Sequence, residues 1–258
     1  MKKRTAIVAG NWKMNKTYGE GRDLTLEIVN KLQPSDAVVI LCPPFIHLQN
    51  THTAINDISN LKLGAQNCHE AEKGAFTGEV SATMLASCGC DFVIIGHSER
   101  RAHFQEDDAL LARKIDRVLE TGLRPIFCCG EPLEVREKEG QEAYVARQLE
   151  KSLFHLSPEA ISRLVIAYEP VWAIGTGKTA SPEQAQDMHQ AIRTLLAKQF
   201  GQGVAERLSI LYGGSVKPSN AAELFGQPDV DGGLVGGASL TAADFIAIVE
   251  ATNQPAKA

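Results

Sequence analysis

The chain has 258 residues, of which 44% are hydrophobic and 22% are charged, so it can bury a full core and does not belong to the disordered class. Its net charge of -5 at pH 7 argues against a general surface for nucleic acid or for anionic membranes. Any anionic ligand must therefore be held by a local site.

Eight short β-rich segments recur along the chain, each followed by polar or glycine residues and then by a helical pattern. Their centres are Ile7, Val39, Leu63, Ile94, Ile126, Ile166, Ile210 and Leu234. This alternation predicts parallel strands joined by helical crossovers. Residues 36–42 and 91–95 are almost continuously apolar after their first position, as expected for strands that are covered on both faces.

Helical patterns occupy several of the intervening segments. Weaker patterns predict helices at 17–32, 107–120 and 131–153. The strongest begins at Ser181, where Pro182 suits the first turn and Gln184 completes a capping box, and it ends at Gly201. A similar start at Thr241 predicts the last helix.

Eight β/α units can form an open doubly wound sheet or a closed barrel, and alternation alone does not distinguish the two. The count of eight favours closure, so we predict a (β/α)8 barrel. Since no linker-like segment or charge block divides the chain, residues 1–258 are predicted to form a single domain. In a barrel the residues that follow each strand meet on one face.

The beginning of the chain and its cysteines bear on its compartment. Residues 2–4 are basic, as at the start of a signal peptide, but the apolar run after them is short and is interrupted at Asn11. No apolar run approaches the roughly eighteen residues that a membrane helix requires. We expect a cytoplasmic protein whose cysteines are reduced and mostly buried. These are Cys42, Cys68, Cys88, Cys90, Cys128 and Cys129; they lack a C-x-x-C framework, and the Cys68-His69 pair alone gives little support for a metal site.

The sixth predicted strand, at 164–168, delivers a single carboxylate, Glu169. Pro170 cannot continue the strand ladder, and Gly175 and Gly177 permit backbone angles that other residues resist. This pattern is typical of a base at a strand end beside a loop that closes over a ligand. The other interpretation is a solvated glutamate before an ordinary glycine turn.

Two other strand ends carry chemically capable side chains. Asn11 and Lys13 follow the first strand, and His97, Ser98 and Glu99 follow the fourth. Ser98 and Glu99 resemble the start of a helical turn, whose positive end disfavours an imidazolium, so His97 could stay neutral and donate a hydrogen bond to a carbonyl oxygen. Taken singly, Lys13 could be a solvated lysine and His97 a structural histidine.

Glycine pairs follow the last two strands. The pairs at 213–214, followed by Ser215, and at 236–237 could be tight turns, or they could let backbone N–H groups approach a phosphate. The chain has neither a GxxxxGK[ST] loop nor a G-x-G-x-x-G that opens a helix after a strand, which disfavours nucleotide binding.

Together these strand ends predict one reaction class, which is proton removal next to the carbonyl of a small phosphorylated sugar. Glu169 would act as the base. Asn11, His97 and Lys13 could stabilise the developing enediolate oxygen in a dry site. A lid and a phosphate grip would orient the substrate and exclude water.

The motifs are specific enough to identify a resemblance to the triosephosphate isomerase family. They are GNWKMN at 10–15, GAFTGE at 74–79, GHSERR at 96–101, AYEPVWAIGTG at 167–177, YGGS at 212–215 and GLVGGASL at 233–240. The resemblance implies a TIM barrel that interconverts dihydroxyacetone phosphate and D-glyceraldehyde 3-phosphate in glycolysis and gluconeogenesis, without cofactor or metal. It also implies that Glu169 moves the proton between carbons and His97 between oxygens, with Asn11 and Lys13 contacting substrate and Glu99 supporting the site.

The same resemblance implies a phosphate site, a lid and a partner. The phosphate would meet Gly175, Ser215, Gly236 and Gly237, and Tyr212 would help to hold the closed lid. The lid would comprise Pro170, Val171, Trp172, Ala173, Ile174, Gly175, Thr176, Gly177 and Lys178. The family is usually a homodimer, which implies that the loop around Thr77 reaches the Asn11 and Lys13 region of the other subunit. Phe76 would be a poor residue to leave in solvent.

One local departure from the family pattern occurs at Cys129 and Pro132, where isoleucine and a hydroxyl residue are more usual. Neither position carries the predicted chemistry.

Two other functions remain as alternatives. Lys13 could be a Schiff-base nucleophile, as in an aldolase on the same fold, if it were desolvated beside a carbonyl carbon. A non-catalytic sugar-phosphate-binding protein has less support, because every proposed catalytic residue type is present.

Overall fold

The computed structural model of the chain describes residues 4–174 and 179–253. Within these residues, eight parallel strands close into a barrel in chain order, as the sequence predicted. The strands are β1 Ile7–Asn11, β2 Val38–Cys42, β3 Leu61–Ala65, β4 Phe92–Ile95, β5 Arg124–Cys129, β6 Val165–Tyr168, β7 Ile210–Tyr212 and β8 Gly232–Val235.

Helices follow the strands and form the outer layer. In the described residues they are α1 Tyr18–Lys31, α2 Leu48–Ile55, α3 Ala82–Ser87, α4 Ser98–His103, α5 Asp108–Glu120, α6 Leu133–Arg136, α7 Gln141–Leu153, α8 Pro158–Ile161, α9 Pro182–Phe200, α10 Gln202–Ala205, α11 Ala221–Phe225 and α12 Ala242–Ala251. Short 3₁₀ turns occupy Phe45–His47, Val171–Ala173 and Gly237–Leu240. No described helix is long and apolar enough to cross a membrane.

The local signals explain most helix boundaries. The Ser181 side chain accepts a hydrogen bond from Gln184 N, and the Gln184 side chain accepts one from Ser181 N, so the predicted capping box is present at the start of α9. The predicted continuous helix at 131–153 is wrong. The chain leaves helical geometry at Glu139, whose φ of 55° lies in the left-handed region, and α7 begins only after Gly140.

The barrel closes where β1 pairs with β8. Ile7 lies opposite Gly232, and Ile7 N donates a hydrogen bond to Asp231 O at 2.9 Å. Gly232 has a φ of 124°, and a Cβ at this position would overlap Ile7 O, so the close approach of the two strands requires glycine. The interior is filled by side chains of alternate strand residues, among them Ile40, Ile94, Ile126 and Leu211. The open space therefore lies at the barrel's mouth, beyond the carboxyl ends of the strands.

The six cysteines are free thiols, and all but Cys88 are buried. Burial raises the pKa of Cys68 and Cys90 to about 12, so these thiols stay protonated at neutral pH and pack as small apolar side chains.

Candidate active site

A cavity of about 780 Å³ opens at the carboxyl ends of the strands. It brings together seven of the predicted catalytic and substrate-binding residues and one predicted lid residue, Ile174. The seven are Asn11, Lys13, His97, Glu169, Ser215, Gly236 and Gly237. Glu99 stands beside the cavity and contacts two of its lining residues. The predicted residues Gly175, Thr176, Gly177 and Lys178 lie outside the described residues.

Glu169 is a buried carboxylate and not a solvated residue at the rim. Its side chain is 2% exposed, with Oε1 3.0 Å from His97 Nε2 and Oε2 accepting a hydrogen bond from Ser98 N at 2.9 Å. Burial alone would raise the pKa of Glu169, but His97 and the Ser98 N–H together hold the pKa below its ordinary value. The side chain is therefore an ionised carboxylate in a dry position, which is the form that can accept a proton.

His97 presents one particular ring nitrogen to the cavity. It precedes α4, and its Nδ1 accepts a hydrogen bond from Glu99 N at 3.2 Å. Because Nδ1 accepts, the proton of the neutral ring sits on Nε2, which faces Glu169. Burial lowers the pKa of His97, but the Glu169 carboxylate, with a smaller contribution from Glu99, outweighs burial and raises the pKa while His97 and Glu169 are in contact. When that carboxylate moves away, burial favours the neutral ring.

Lys13 is held by contacts at both its backbone and its ammonium group. Its Nζ lies 2.6 Å from Glu99 Oε1, and its backbone has a φ of 52°, a left-handed conformation that is rare for lysine. Asn11 Oδ1 accepts a hydrogen bond from Lys13 N, and Gln66 Nε2 donates to Lys13 O at 3.0 Å. Lys13 is thus a fixed cation in an ion pair, an arrangement that suits an anionic substrate better than a Schiff-base nucleophile.

The two glycine turns form part of the cavity wall next to Lys13. Gly213, Gly214 and Ser215 follow β7, while Gly236 and Gly237 follow β8 and open the last 3₁₀ turn. A Cβ at Gly236 would lie 3.4 Å from Lys13 Cε, so this turn is directly beside the lysine. Backbone N–H groups and an ammonium group on one wall form an environment suited to a phosphate.

The backbone of Glu169 is enclosed by two neighbouring turns. Glu169 N donates to Cys129 O at 2.7 Å, and Gly213 N donates to Tyr168 O at 2.7 Å. A Cβ at Gly130 would overlap Glu169 O, and one at Gly213 would lie 2.8 Å from Glu169 Cγ. Both glycines therefore allow a close approach that fixes the position of the carboxylate.

Glu131 anchors the described part of the predicted lid. Its side chain is fully buried and accepts hydrogen bonds from Tyr168 Oη at 3.0 Å and from Trp172 Nε1 at 2.8 Å. Val171 N donates to Glu131 O at 3.1 Å. Sequence reasoning missed this role, although a charged residue two positions after a buried strand was a signal for it.

Comparisons with known proteins give one consistent result. A family model described as "Triosephosphate isomerase" matches residues 6–252. The triosephosphate isomerase of Bacteroides fragilis is 55% identical over 252 residues, covering 97% of this chain and 100% of the relative. Those of Flavobacterium psychrophilum and Hahella chejuensis are 53% and 50% identical, covering 95% and 96% of this chain and 98% of each relative.

Proposed function

The chain belongs to the triosephosphate isomerase family and interconverts dihydroxyacetone phosphate and D-glyceraldehyde 3-phosphate, and we propose that Glu169 is its base. The observation that carries this assignment is the buried carboxylate at the mouth of the barrel, in contact with His97 Nε2. The reaction is a step of glycolysis and gluconeogenesis, and it proceeds by proton abstraction through an enediolate.

The contacts of Glu169 imply an exchange of partners on substrate binding. In the structure both carboxylate oxygens are occupied, one by His97 Nε2 and the other by Ser98 N. To reach a substrate C–H, the carboxylate must leave His97. The Nε2–H is then free to donate to the substrate's carbonyl oxygen, and His97 can move a proton between the two oxygens while Glu169 moves one between the two carbons.

Lys13 and Asn11 complete the proposed site for the anionic substrate. Lys13 supplies a positive charge that Glu99 holds in place, and Asn11 supports the unusual Lys13 backbone. The phosphate is proposed to lie against Ser215, Gly236, Gly237 and Gly175. Residues Pro170 to Lys178 are proposed to close over it, with Tyr212 holding the closed form; the buried anchor at Glu131 supports a fixed hinge at the start of this lid.

Glu169→Gln tests the base directly, because the amide keeps the shape of the side chain and cannot accept the proton. We expect turnover to fall by about 10²- to 10⁴-fold, while inorganic phosphate still inhibits with its original constant. Glu159→Gln is the control and should keep its turnover, because Glu159 is exposed in the first turn of α8. Retention of turnover by Glu169→Gln would disprove the assignment.

Two further assays separate the alternative chemistries. Product formed in deuterated water should carry solvent deuterium, because a proton on Glu169 can exchange before it is returned. Strict retention of the substrate hydrogen would instead indicate hydride transfer. Borohydride should trap no lysine adduct, whereas a Schiff-base aldolase would be trapped at Lys13.

We further propose a homodimer, supported by apolar side chains around one side of the barrel mouth. The segments that follow four successive strands, β1 to β4, expose large apolar residues. They include Met14 at 96%, Ile46 in the 3₁₀ turn at 66%, Phe76 at 47% and Phe104, directly after α4, at 63%. Successive strands are neighbours in the barrel, so these side chains lie on one side. Such a patch is typical of an interface with a partner.

The oligomeric state is measured by light scattering coupled to size exclusion. Phe76→Asp and Thr77→Arg should each shift the protein towards monomer, while Leu133→Asp, a comparable change on an exposed residue after β5, should not. A wild-type monomer at micromolar concentration would contradict the proposal.

We also propose that residues 1–258 form one domain and that the protein is cytoplasmic. The pairing of β1 with β8 supports the first point, because the barrel needs both of these strands to close. The six free thiols support a reducing compartment. A single transition in thermal unfolding would support the one-domain proposal. Cell fractionation would test the cytoplasmic location.

A further inference from the structure

A second, small cavity also borders Glu169, which among the described lining residues is the one that it shares with the substrate cavity. Its volume is about 230 Å³, and its walls include Ser98, Cys129, Gly130, Gln148 and Glu169 itself. The space next to the base is therefore not filled by side chains. Packing alone does not fix this side of the base, so specific hydrogen bonds must contribute.

Gln148 supplies one such bond from the outer helix layer. It lies on α7 with 6% of its surface exposed, and its Oε1 accepts a hydrogen bond from Gly130 N at 2.8 Å. Both partners are buried. A buried N–H that lost its acceptor would be left without a partner where water is scarce, which strongly favours the observed position of Gly130.

Gly130 transmits this position to the base. The segment 129–131 runs alongside Glu169 and Val171, with Cys129 O accepting from Glu169 N and Glu131 O accepting from Val171 N. Gly130, between these two contacts, packs directly against the carbonyl group of Glu169. Gln148 thus holds the centre of the segment that contacts the base on this side.

We propose that Gln148 is a positioning residue for the isomerase reaction: through Gly130 it sets where the backbone of Glu169 lies and hence where the carboxylate meets the substrate. Gln148 does not touch the substrate cavity, so its effect is on the proton-transfer step and not on the phosphate grip. This inference rests on the proposed role of Glu169 as the base.

The test compares three variants. Gln148→Met keeps the length of the side chain but removes the acceptor, whereas Gln148→Glu keeps an acceptor. Ser152→Ala is the matched control, because Ser152 lies on the same helix and its buried hydroxyl donates to Asp108 O, away from the base. Turnover, KM, inhibition by inorganic phosphate and the deuterium isotope effect on kcat are measured for each.

For Gln148→Met we expect kcat to fall roughly 10- to 100-fold, since a displacement of about 1 Å at a reacting group has effects of this size. KM and the phosphate inhibition constant should stay within about twofold of wild type. The isotope effect should rise, because proton transfer becomes slower relative to the other steps. Gln148→Glu should recover most of the lost kcat, and Ser152→Ala should keep it.

The proposal is overturned if Gln148→Met retains wild-type kcat or if Ser152→Ala loses as much. Rates are divided by the concentration of phosphate-binding sites, so that partial unfolding does not count as a catalytic defect. If Gln148→Met does not fold, Gln148→Asn, whose shorter side chain cannot reach Gly130 in the same way, replaces it under the same criteria. Glu169→Gln distinguishes failure of the proposed base from failure of the positioning role. If Glu169→Gln retains turnover, Glu169 is not the base. If Glu169→Gln is inactive and Gln148→Met has wild-type turnover, only the positioning role of Gln148 is disproved.

Discussion

Gly130→Ala should displace Glu169, the proposed base, without removing any proposed catalytic group. The new methyl group would overlap Glu169 O, far inside the 3.0 Å that Cβ atoms keep from their neighbours. The two segments would have to separate by roughly 1 Å or more, a misplacement that costs about 100-fold in rate at a reacting group. Overpacking of this kind costs about 1–3 kcal/mol, and folded domains are stable by about 5–15 kcal/mol, so the variant should still fold.

The assay is coupled isomerase turnover in both directions, together with inhibition by inorganic phosphate and a thermal unfolding scan. We expect kcat to fall by about 100-fold while the phosphate inhibition constant is unchanged. Gly140→Ala is the control, because its Cβ would meet only ordinary contacts, the nearest at 3.5 Å from Val135 Cγ1. If folded Gly130→Ala turned over like wild type, the tight packing against Glu169 would not matter for catalysis and the reasoning would fail.

Three other predictions concern pH and closure. Burial lowers the pKa of His189 to about 3, whereas in the unfolded chain this pKa is about 6.5. Between these two pH values the unfolded chain binds a proton at His189 that the folded chain does not, so the free energy of unfolding should fall by about 2 kcal/mol from pH 7.5 to pH 5. Urea titrations at the two pH values should show that His189→Gln lacks this part of the loss. Glu169→Gln removes the carboxylate that raises the pKa of His97 while burial remains, so ¹⁵N NMR should show that pKa falling, and an unchanged titration would contradict the assigned contact. Gly232→Ala should lower the free energy of unfolding in urea by about 3 kcal/mol, because the new methyl group strains the pairing of β1 with β8. Gly19→Ala is the control and should lose no stability, because the space around its Cβ is open. Equal effects of the two substitutions would refute the claim that the β1–β8 pairing requires glycine at position 232.

The sequence predicted the architecture because its signals are local. Strands buried on both faces are continuously apolar, and eight of them alternating with helices favour closure. The cap at Ser181 placed the start of α9 correctly. The segment 131–153 was misassigned because its helical periodicity hides one left-handed residue, Glu139, at which the chain turns before α7. Gly140 follows Glu139 directly and was a signal for a break, but nothing in the residue type of Glu139 marked it as the left-handed position.

The grouping of the candidate site residues was predictable for a related reason, since parallel strands place the residues after them on one face of the barrel. The supporting contacts of Gln148 and Gln66 were not predictable. Gln148 lies 18 positions beyond Gly130, and Gln66 lies 53 positions beyond Lys13, and no motif connects either pair. The pairing of Glu169 with Ser98 N also depends on side-chain orientation, which strand-end reasoning does not provide.

The pairing of β1 with β8 affects how the protein folds while it is synthesised on the ribosome. The partner of β1, Gly232–Val235, is synthesised about 220 residues after β1 itself. At ribosomal speeds of about 5–20 residues per second this separation is a wait of roughly 10–40 s. Throughout that interval one edge of β1 lacks its strand partner, and such an edge can pair with another nascent chain. The last seam of the barrel is therefore the step at which aggregation and completion of folding compete.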